Sequence, residues 1–133
     1  MKYLFLSAIL TLSPFASVAE SYDCTTTDFG FGGFVVSRII LAFDAEATVG
    51  FAYDAFINEV HKASIPVKFK KWSDNRYQFN WTLKGVKSSN VGTSTLSYKV
   101  TLRPQSGTFT LSGVYHGYDN PISGAGTCKL IKK

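Results

Sequence analysis

A strict alternation of apolar and polar side chains between Arg76 and Lys84 constrains the fold of this chain more than any other feature. In the sequence RYQFNWTLK, every second position from Tyr77 to Leu83 is large and apolar, and the positions between them are polar. Successive side chains of a β-strand point to opposite faces of a sheet, so a period of two predicts a strand with one buried face. The centre of the chain is therefore predicted to be β-sheet.

Two hairpins follow from the same alternation around short turn sequences. The run 65–70 alternates as well, and Ser73-Asp74-Asn75 after it has the residue types of a tight turn. The runs 96–103 and 108–112 flank Pro104-Gln105-Ser106-Gly107 and predict a second hairpin.

The remaining segments predict further strands and one short helix. Residues 22–26 and 34–43 are predicted strands, and the second is apolar enough to be buried on both faces. In residues 47–61, period-two and helical spacings overlap, which predicts a strand near Val49 and a short helix at 54–60. The predicted fold class is all-β: an antiparallel β-sandwich or small barrel of six to eight strands.

The first nineteen residues have the three parts of an export signal. Lys2 is followed by a short apolar run at 3–12, and the small residues Ser17 and Ala19 fit cleavage before Glu20. The run is too short to span a bilayer. We therefore predict a signal peptide at 1–19, a single β domain at 20–133, a periplasmic or secreted location and no integral membrane span.

The two cysteines, Cys24 and Cys128, are predicted to form a disulfide between the first and last strands. Exported proteins meet oxidising conditions, and the pair has no CxxC spacing. His61 and His116 lie far apart without HxH or HExxH spacing, so they do not specify a metal site. No cofactor is predicted.

Charge is segregated along the chain. Residues 20–60 hold seven acids and one base, whereas residues 61–103 hold nine bases and one acid. If the apolar alternates face inward, a basic outer sheet face displays the candidate anion-binding residues Lys68, Lys70, Arg76, Lys84, Lys99 and Arg103. This face is consistent with an anionic envelope component, an acidic glycan or an acidic protein as partner, and nucleic acid is not favoured. Solvation and protection of strand edges by lysine is the alternative.

No arrangement of residues specifies a reaction. There is no GxSxG motif, and a histidine-dependent site has to use His61 or His116, of which His116 lies near Asp119. Trp72 and Tyr118 are a candidate aromatic contact for sugar rings or a protein partner. We predict a non-enzymatic binding module; the alternatives are an inhibitor of a secreted enzyme and a small hydrolase that uses His116.

Two resemblances rest on short motifs. The alternation around Trp81, the turn Gly117-Tyr118-Asp119-Asn120 and the segment 124–128 (GAGTC) resemble small exported β-sheet proteins of unknown function from Gram-negative bacteria. That resemblance implies a periplasmic β fold and no activity. The segment Tyr22-Asp23-Cys24 with a late cysteine is similar to the periplasmic inhibitors of C-type lysozyme, but the chain lacks their SGxxY-type loop.

Overall fold

The computed structural model describes residues 18–30, 33–88, 92–117 and 121–132. They form a closed antiparallel barrel in which each strand pairs with its neighbours in the sequence and β8 pairs with β1. The elements are β1 (Val18–Asp28), β2 (Arg38–Asp44), β3 (Val49–Tyr53), α1 (Ala55–His61), β4 (Ile65–Ser73), β5 (Arg76–Ser88), β6 (Gly92–Arg103), β7 (Thr108–Tyr115) and β8 (Pro121–Lys132). The predicted all-β class, strand number and short helix are confirmed, and the barrel replaces the sandwich alternative.

The seam between β1 and β8 closes the barrel and carries the predicted disulfide. Cys24 lies directly opposite Cys128 in the ladder, and their sulfur atoms are bonded. The bond joins positions 104 residues apart in the sequence. The disulfide therefore connects the two strands whose pairing turns an open sheet into a barrel.

The apolar residues whose alternation predicts β5 also fill the interior of the barrel. Its apolar positions Tyr77, Phe79, Trp81 and Leu83 are all buried, whereas Thr82 and Lys84 are exposed. The predicted hairpins are confirmed as β4–β5 and β6–β7. Phe79 pairs with Val100 of β6 and contacts the ring of Phe69 with centroids 4.9 Å apart. Inward alternates of neighbouring strands thus meet in one core.

One end of the barrel is covered by α1 and by residues 33–37. Asp54 caps α1, since its carboxylate accepts a hydrogen bond from the N–H of Ile57 at 2.8 Å. Ile57 is fully buried. Burial raises the pKa of the Asp54 carboxyl. A short helix with one buried apolar residue therefore seals this end.

The prediction of a strand at 34–43 is confirmed for residues 38–43, but it is wrong for residues 34–37 and for burial on both faces. The strand begins at Arg38, and buried and less buried residues alternate along it. Phe34 has a left-handed backbone (φ 54°), and its ring packs against the rings of Phe56 and Tyr115. These apolar residues cover an end of the barrel instead of extending the sheet.

The turn between β2 and β3 is organised by Asp44. Its carboxylate accepts hydrogen bonds from the N–H of Val49 at 2.9 Å and from the hydroxyl and N–H of Thr48, both at 2.7 Å. These bonds, led by that from Val49, lower the pKa of Asp44 from 3.8 to about 2. The ionised carboxylate therefore stabilises the folded state.

We expect Asp44→Ala to lower the free energy of unfolding by about 1 to 2 kcal/mol at neutral pH, because the partly buried N–H groups of Thr48 and Val49 lose their charged acceptor. The contribution of the charge is complete above pH 3.8 and is lost as the pH falls towards about 2. Urea unfolding of the parent and of Asp44→Asn between pH 6 and pH 2 measures it. A parent protein whose pH dependence over this range equals that of Asp44→Asn would contradict the assignment.

No helix in the described ranges is long and apolar enough to cross a membrane. The predicted signal peptide lies outside the described residues except for Val18 and Ala19, which are part of β1.

Candidate functional site

The six predicted anion-binding residues are all exposed, but the barrel does not gather them into one cluster. Lys68 and Lys99 lie in the same row, because both pair with Asn80. Lys70 and Arg76 lie near the β4–β5 turn. Lys84 lies towards the end covered by α1, and Arg103 lies at the β6–β7 turn.

Trp72 is the centre of the Lys70 and Arg76 group. Its side chain is 49% exposed, with the Lys70 Nζ 3.7 Å and the Arg76 Cζ 5.1 Å from the ring centroid. Its indole N–H donates a hydrogen bond to the Gln78 Oε1 at 3.2 Å. The ring is thus held by cation–π contacts and a hydrogen bond. Tyr118, the other predicted aromatic contact, lies outside the described residues.

A cleft opens where the β4–β5 ladder stops. Pairing of β4 with β5 starts at Lys68 and Asn80 and runs towards the turn, whereas residues 65–67 pair only with β3. The space left beside residues 81–83 is a cleft of about 700 Å³. Its walls combine β4 and β3 on one side with β5 and β6 on the other, through Thr48, Ile65, Pro66, Val67, Lys68, Asn80, Trp81, Thr82, Ser97 and Tyr98.

A shallower depression of about 460 Å³ continues the cleft across β6 and β7. The two share Asn80, Ser97 and Tyr98, and the depression adds Lys99, Ser112, Gly113 and Val114. We call the cleft and the depression together the outer groove. Gly113 permits β6 and β7 to approach closely here, because a Cβ atom there would lie 2.6 Å from the carbonyl oxygen of Ser97.

Three polar side chains form a hydrogen-bonded chain, of which Thr82 and Ser97 line the outer groove and His116 lies beside it. The Thr82 Oγ1 lies 2.9 Å from the Ser97 Oγ, and the Ser97 Oγ lies 2.7 Å from the His116 Nε2. All three residues point to the outside of the barrel. Among the described residues, no carboxylate hydrogen-bonds to His116, and Asp119 lies outside them. The chain supplies hydroxyl and imidazole groups for hydrogen bonding to a ligand.

Lys68 and Lys99 give the outer groove its charge. The ion pairs among the described residues join Arg38 to Asp23 and Lys71 to Asp74, so neither groove lysine is paired with an acid there. Lys68 and Lys99 are separated by one intervening strand, which places their backbones about 10 Å apart. The groove therefore presents two separated positive charges with the amide of Asn80 between them.

Two aromatic residues of the barrel interior also line the cleft. The rings of Trp81 and Tyr98 are 5.6 Å apart between centroids, and both residues are almost fully buried. Burial, followed by the charge of Asp54, raises the pKa of Tyr98, so its hydroxyl stays protonated and donates to the carbonyl oxygen of Phe34 at 2.7 Å. The indole N–H of Trp81 is buried without a hydrogen-bond partner among the described residues.

The sequence identified the groove lysines but missed Asn80, Thr82 and Ser97. They are polar alternates of β5 and β6, and their grouping follows from the strand register, which one sequence does not reveal. Within the described residues, no group of three or more histidine, cysteine or acidic residues is placed to hold a metal ion.

Searches of protein-family models, curated proteins and solved structures found no match to this chain. The resemblances to small exported proteins and to lysozyme inhibitors therefore stay predictions based on short motifs.

Proposed function

We propose that this protein is a binding module that holds an acidic glycan in the outer groove. The observation that carries the proposal is the row Lys68–Asn80–Lys99, in which two cations without an ion pair in the described part of the chain flank a hydrogen-bonding amide across the floor of a concave surface. Predicted export favours a ligand of the cell envelope or the surroundings of the cell.

The chemistry of the groove fits a sugar chain with regularly placed negative charges. Asn80, Thr82, Ser97 and Ser112 offer amide and hydroxyl groups that can donate to and accept from sugar hydroxyls. The lysines attract the charged groups, and this attraction weakens as salt screens it. Two cations about 10 Å apart fit an extended ligand better than a single small ion.

The test is the affinity for a sulfated octasaccharide, measured by isothermal titration at low salt. We expect Lys68→Gln/Lys99→Gln to weaken binding by roughly tenfold, equivalent to about 1.4 kcal/mol. The matched control is Lys84→Gln/Lys87→Gln, which makes the same change in net charge on β5 outside the groove lining. The control is expected to bind like the parent protein.

Equal losses in the two double variants would contradict the proposal, since they would show attraction to net charge alone. Asn80→Ala separates the alternatives further. It leaves every charge in place and is expected to weaken binding of the octasaccharide while the slope of affinity against salt concentration stays unchanged. A neutral dextran fragment of the same length should bind more weakly than the sulfated octasaccharide.

Hydrolysis at Ser97 is a second candidate function. It is favoured by the 2.7 Å contact between the Ser97 Oγ and the His116 Nε2, which is the geometry of a nucleophile and its base. A fluorophosphonate probe should then label the parent protein and leave both Ser97→Ala and His116→Ala unlabelled. Absence of labelling in the parent would favour the binding function.

A further inference from the structure

The last four residues of β8 form a strand edge that the barrel leaves open. Pairing of β8 with β7 ends at Thr127, and the last backbone hydrogen bond on that side runs from the Cys128 N–H to the Gly107 oxygen at 2.8 Å. Pairing with β1 continues to Lys132. Residues 129–132 therefore have a strand on one side only within the described part of the chain.

Backbone N–H and C=O groups of β8 point towards the side that β7 leaves open. In an antiparallel ladder, alternate residues direct their N–H and C=O groups to the same side. The N–H of Cys128 points towards β7, so the N–H and C=O of Leu130 point to the same, uncovered side. An extended chain placed there would continue the line of β7 beyond its first residue, Thr108.

The side chains at this edge are apolar and cationic. Leu130 and Ile131 are 51% and 57% exposed, and they are flanked by the exposed residues Lys129 and Lys132. The β1–β8 register shifts between Ser21 and Tyr22, which pair with Lys132 and Leu130, so Ile131 is an extra residue on β8 at this point. Two adjacent exposed aliphatic residues at an open strand edge are typical of a surface that another chain covers.

We propose that residues 129–132, which we call the β8 edge, bind an extended segment of another protein by adding it as a strand. The segment carries acidic side chains alternating with apolar ones. Its backbone hydrogen-bonds to Leu130, its apolar side chains cover Leu130 and Ile131, and its acids face Lys129 and Lys132.

The positive charges at the β8 edge favour an acidic segment over a second copy of the chain. Two copies paired through their β8 edges would bring Lys129 and Lys132 of one copy close to the same lysines of the other, and like charges on paired strands destabilise a sheet. Asp23 lies opposite Lys129 in the β1–β8 ladder and attracts it, but its carboxylate is also bonded to Arg38 at 2.8 and 2.7 Å, so it offsets only part of this charge. An acidic strand meets no such repulsion.

The test uses a labelled seven-residue peptide of alternating glutamate and valine, with fluorescence anisotropy as the readout. We expect binding by the parent protein and at least tenfold weaker binding by Leu130→Pro, which removes an N–H that the β1 ladder does not use. The same peptide with N-methyl groups on alternate residues keeps its charge but loses backbone hydrogen bonding, and it is expected not to bind.

Two further variants make each result decisive. Val114→Lys changes another exposed aliphatic residue, 52% exposed on β7, and should bind like the parent. Leu130→Lys keeps the N–H and removes an apolar contact, so weaker binding without loss of thermal stability supports the proposal even where Leu130→Pro fails to fold. Equal binding of the N-methylated peptide, or binding by neither peptide, overturns it.

Self-association of the protein through the β8 edge is the remaining possible outcome of the test. A concentration-dependent dimer in sedimentation equilibrium that Leu130→Lys abolishes would assign the β8 edge to a second copy and overturn the acidic partner. Lys68→Gln/Lys99→Gln should leave peptide binding unchanged, because the β8 edge lies outside the outer groove and is independent of the proposed glycan site.

Discussion

Removal of the Cys24–Cys128 disulfide is expected to lower the free energy of unfolding by about 4 to 5 kcal/mol. The bond spans 104 residues, and chain-entropy models assign that much to a loop of this length. Because Cys24 is fully buried and directly opposite Cys128, we expect the pairing of β1 with β8 to hold the two cysteines in place without the bond. The loss therefore arises chiefly in the unfolded chain.

Thermal unfolding of the parent protein with and without reductant measures this effect. For a domain of this size, we expect the midpoint to fall by roughly 15 °C. Cys24→Ala/Cys128→Ala is the matched control, since it should unfold near the reduced midpoint and be insensitive to reductant. A reduced protein with the same midpoint as the oxidised one would show that the bond adds no stability.

The sheet and its buried face could be predicted because both depend on local alternation. Tyr77, Phe79 and Trp81 are buried where a period of two places them, and the two hairpins have turn residues at the expected positions. Closure into a barrel could not be predicted in the same way. It depends on pairing between β1 and β8, whose partners are about a hundred residues apart, and the disulfide was the sole sequence signal that joined them.

The segment 34–37 shows where composition misleads. Its apolar side chains suit a buried strand, but they are equally suited to covering the end of a barrel, and the left-handed backbone at Phe34 excludes it from a regular strand. Only the tertiary structure distinguishes these uses of the same residues.

The candidate site was predicted in part for a related reason. Exposure of Lys68 and Lys99 follows from alternation, since both lie on the outward face of their strands. Their alignment across Asn80 follows from strand register, and the cleft beside them follows from where the β4–β5 ladder stops. A pattern of polar residues in one sequence reveals neither the strand register nor the point at which a ladder ends. The Ser97 Oγ and the His116 Nε2 are 2.7 Å apart, although the β6–β7 hairpin separates the two residues in the sequence.

We expect Gly126→Ala to be the most disruptive single substitution at the seam, lowering the free energy of unfolding by about 3 kcal/mol or more. Gly126 pairs with Thr26 across the β1–β8 ladder. A Cβ atom there would lie 2.0 Å from the carbonyl oxygen of Thr25 and 2.8 Å from the Cε1 of Phe109. A backbone carbonyl in a ladder cannot rotate away, so β1 and β8 must separate locally.

Gly124→Ala on the same strand is the matched comparison. Its Cβ atom would lie 2.9 Å from a methyl group of Val35, a side chain outside the sheet that can shift, and 3.2 Å from the backbone carbonyl oxygen of Asp28, which is a milder contact. We therefore expect a loss of about 1 kcal/mol for Gly124→Ala. Urea unfolding of both variants measures the difference, and hydrogen exchange of the β1 amides locates it. If Gly126→Ala unfolds like the parent while Gly124→Ala does not, the register of the seam is wrong. The expected order would show that Gly126 and the disulfide both support closure of the barrel. The disulfide does so by restricting the unfolded chain, and Gly126 does so by permitting close approach of β1 and β8.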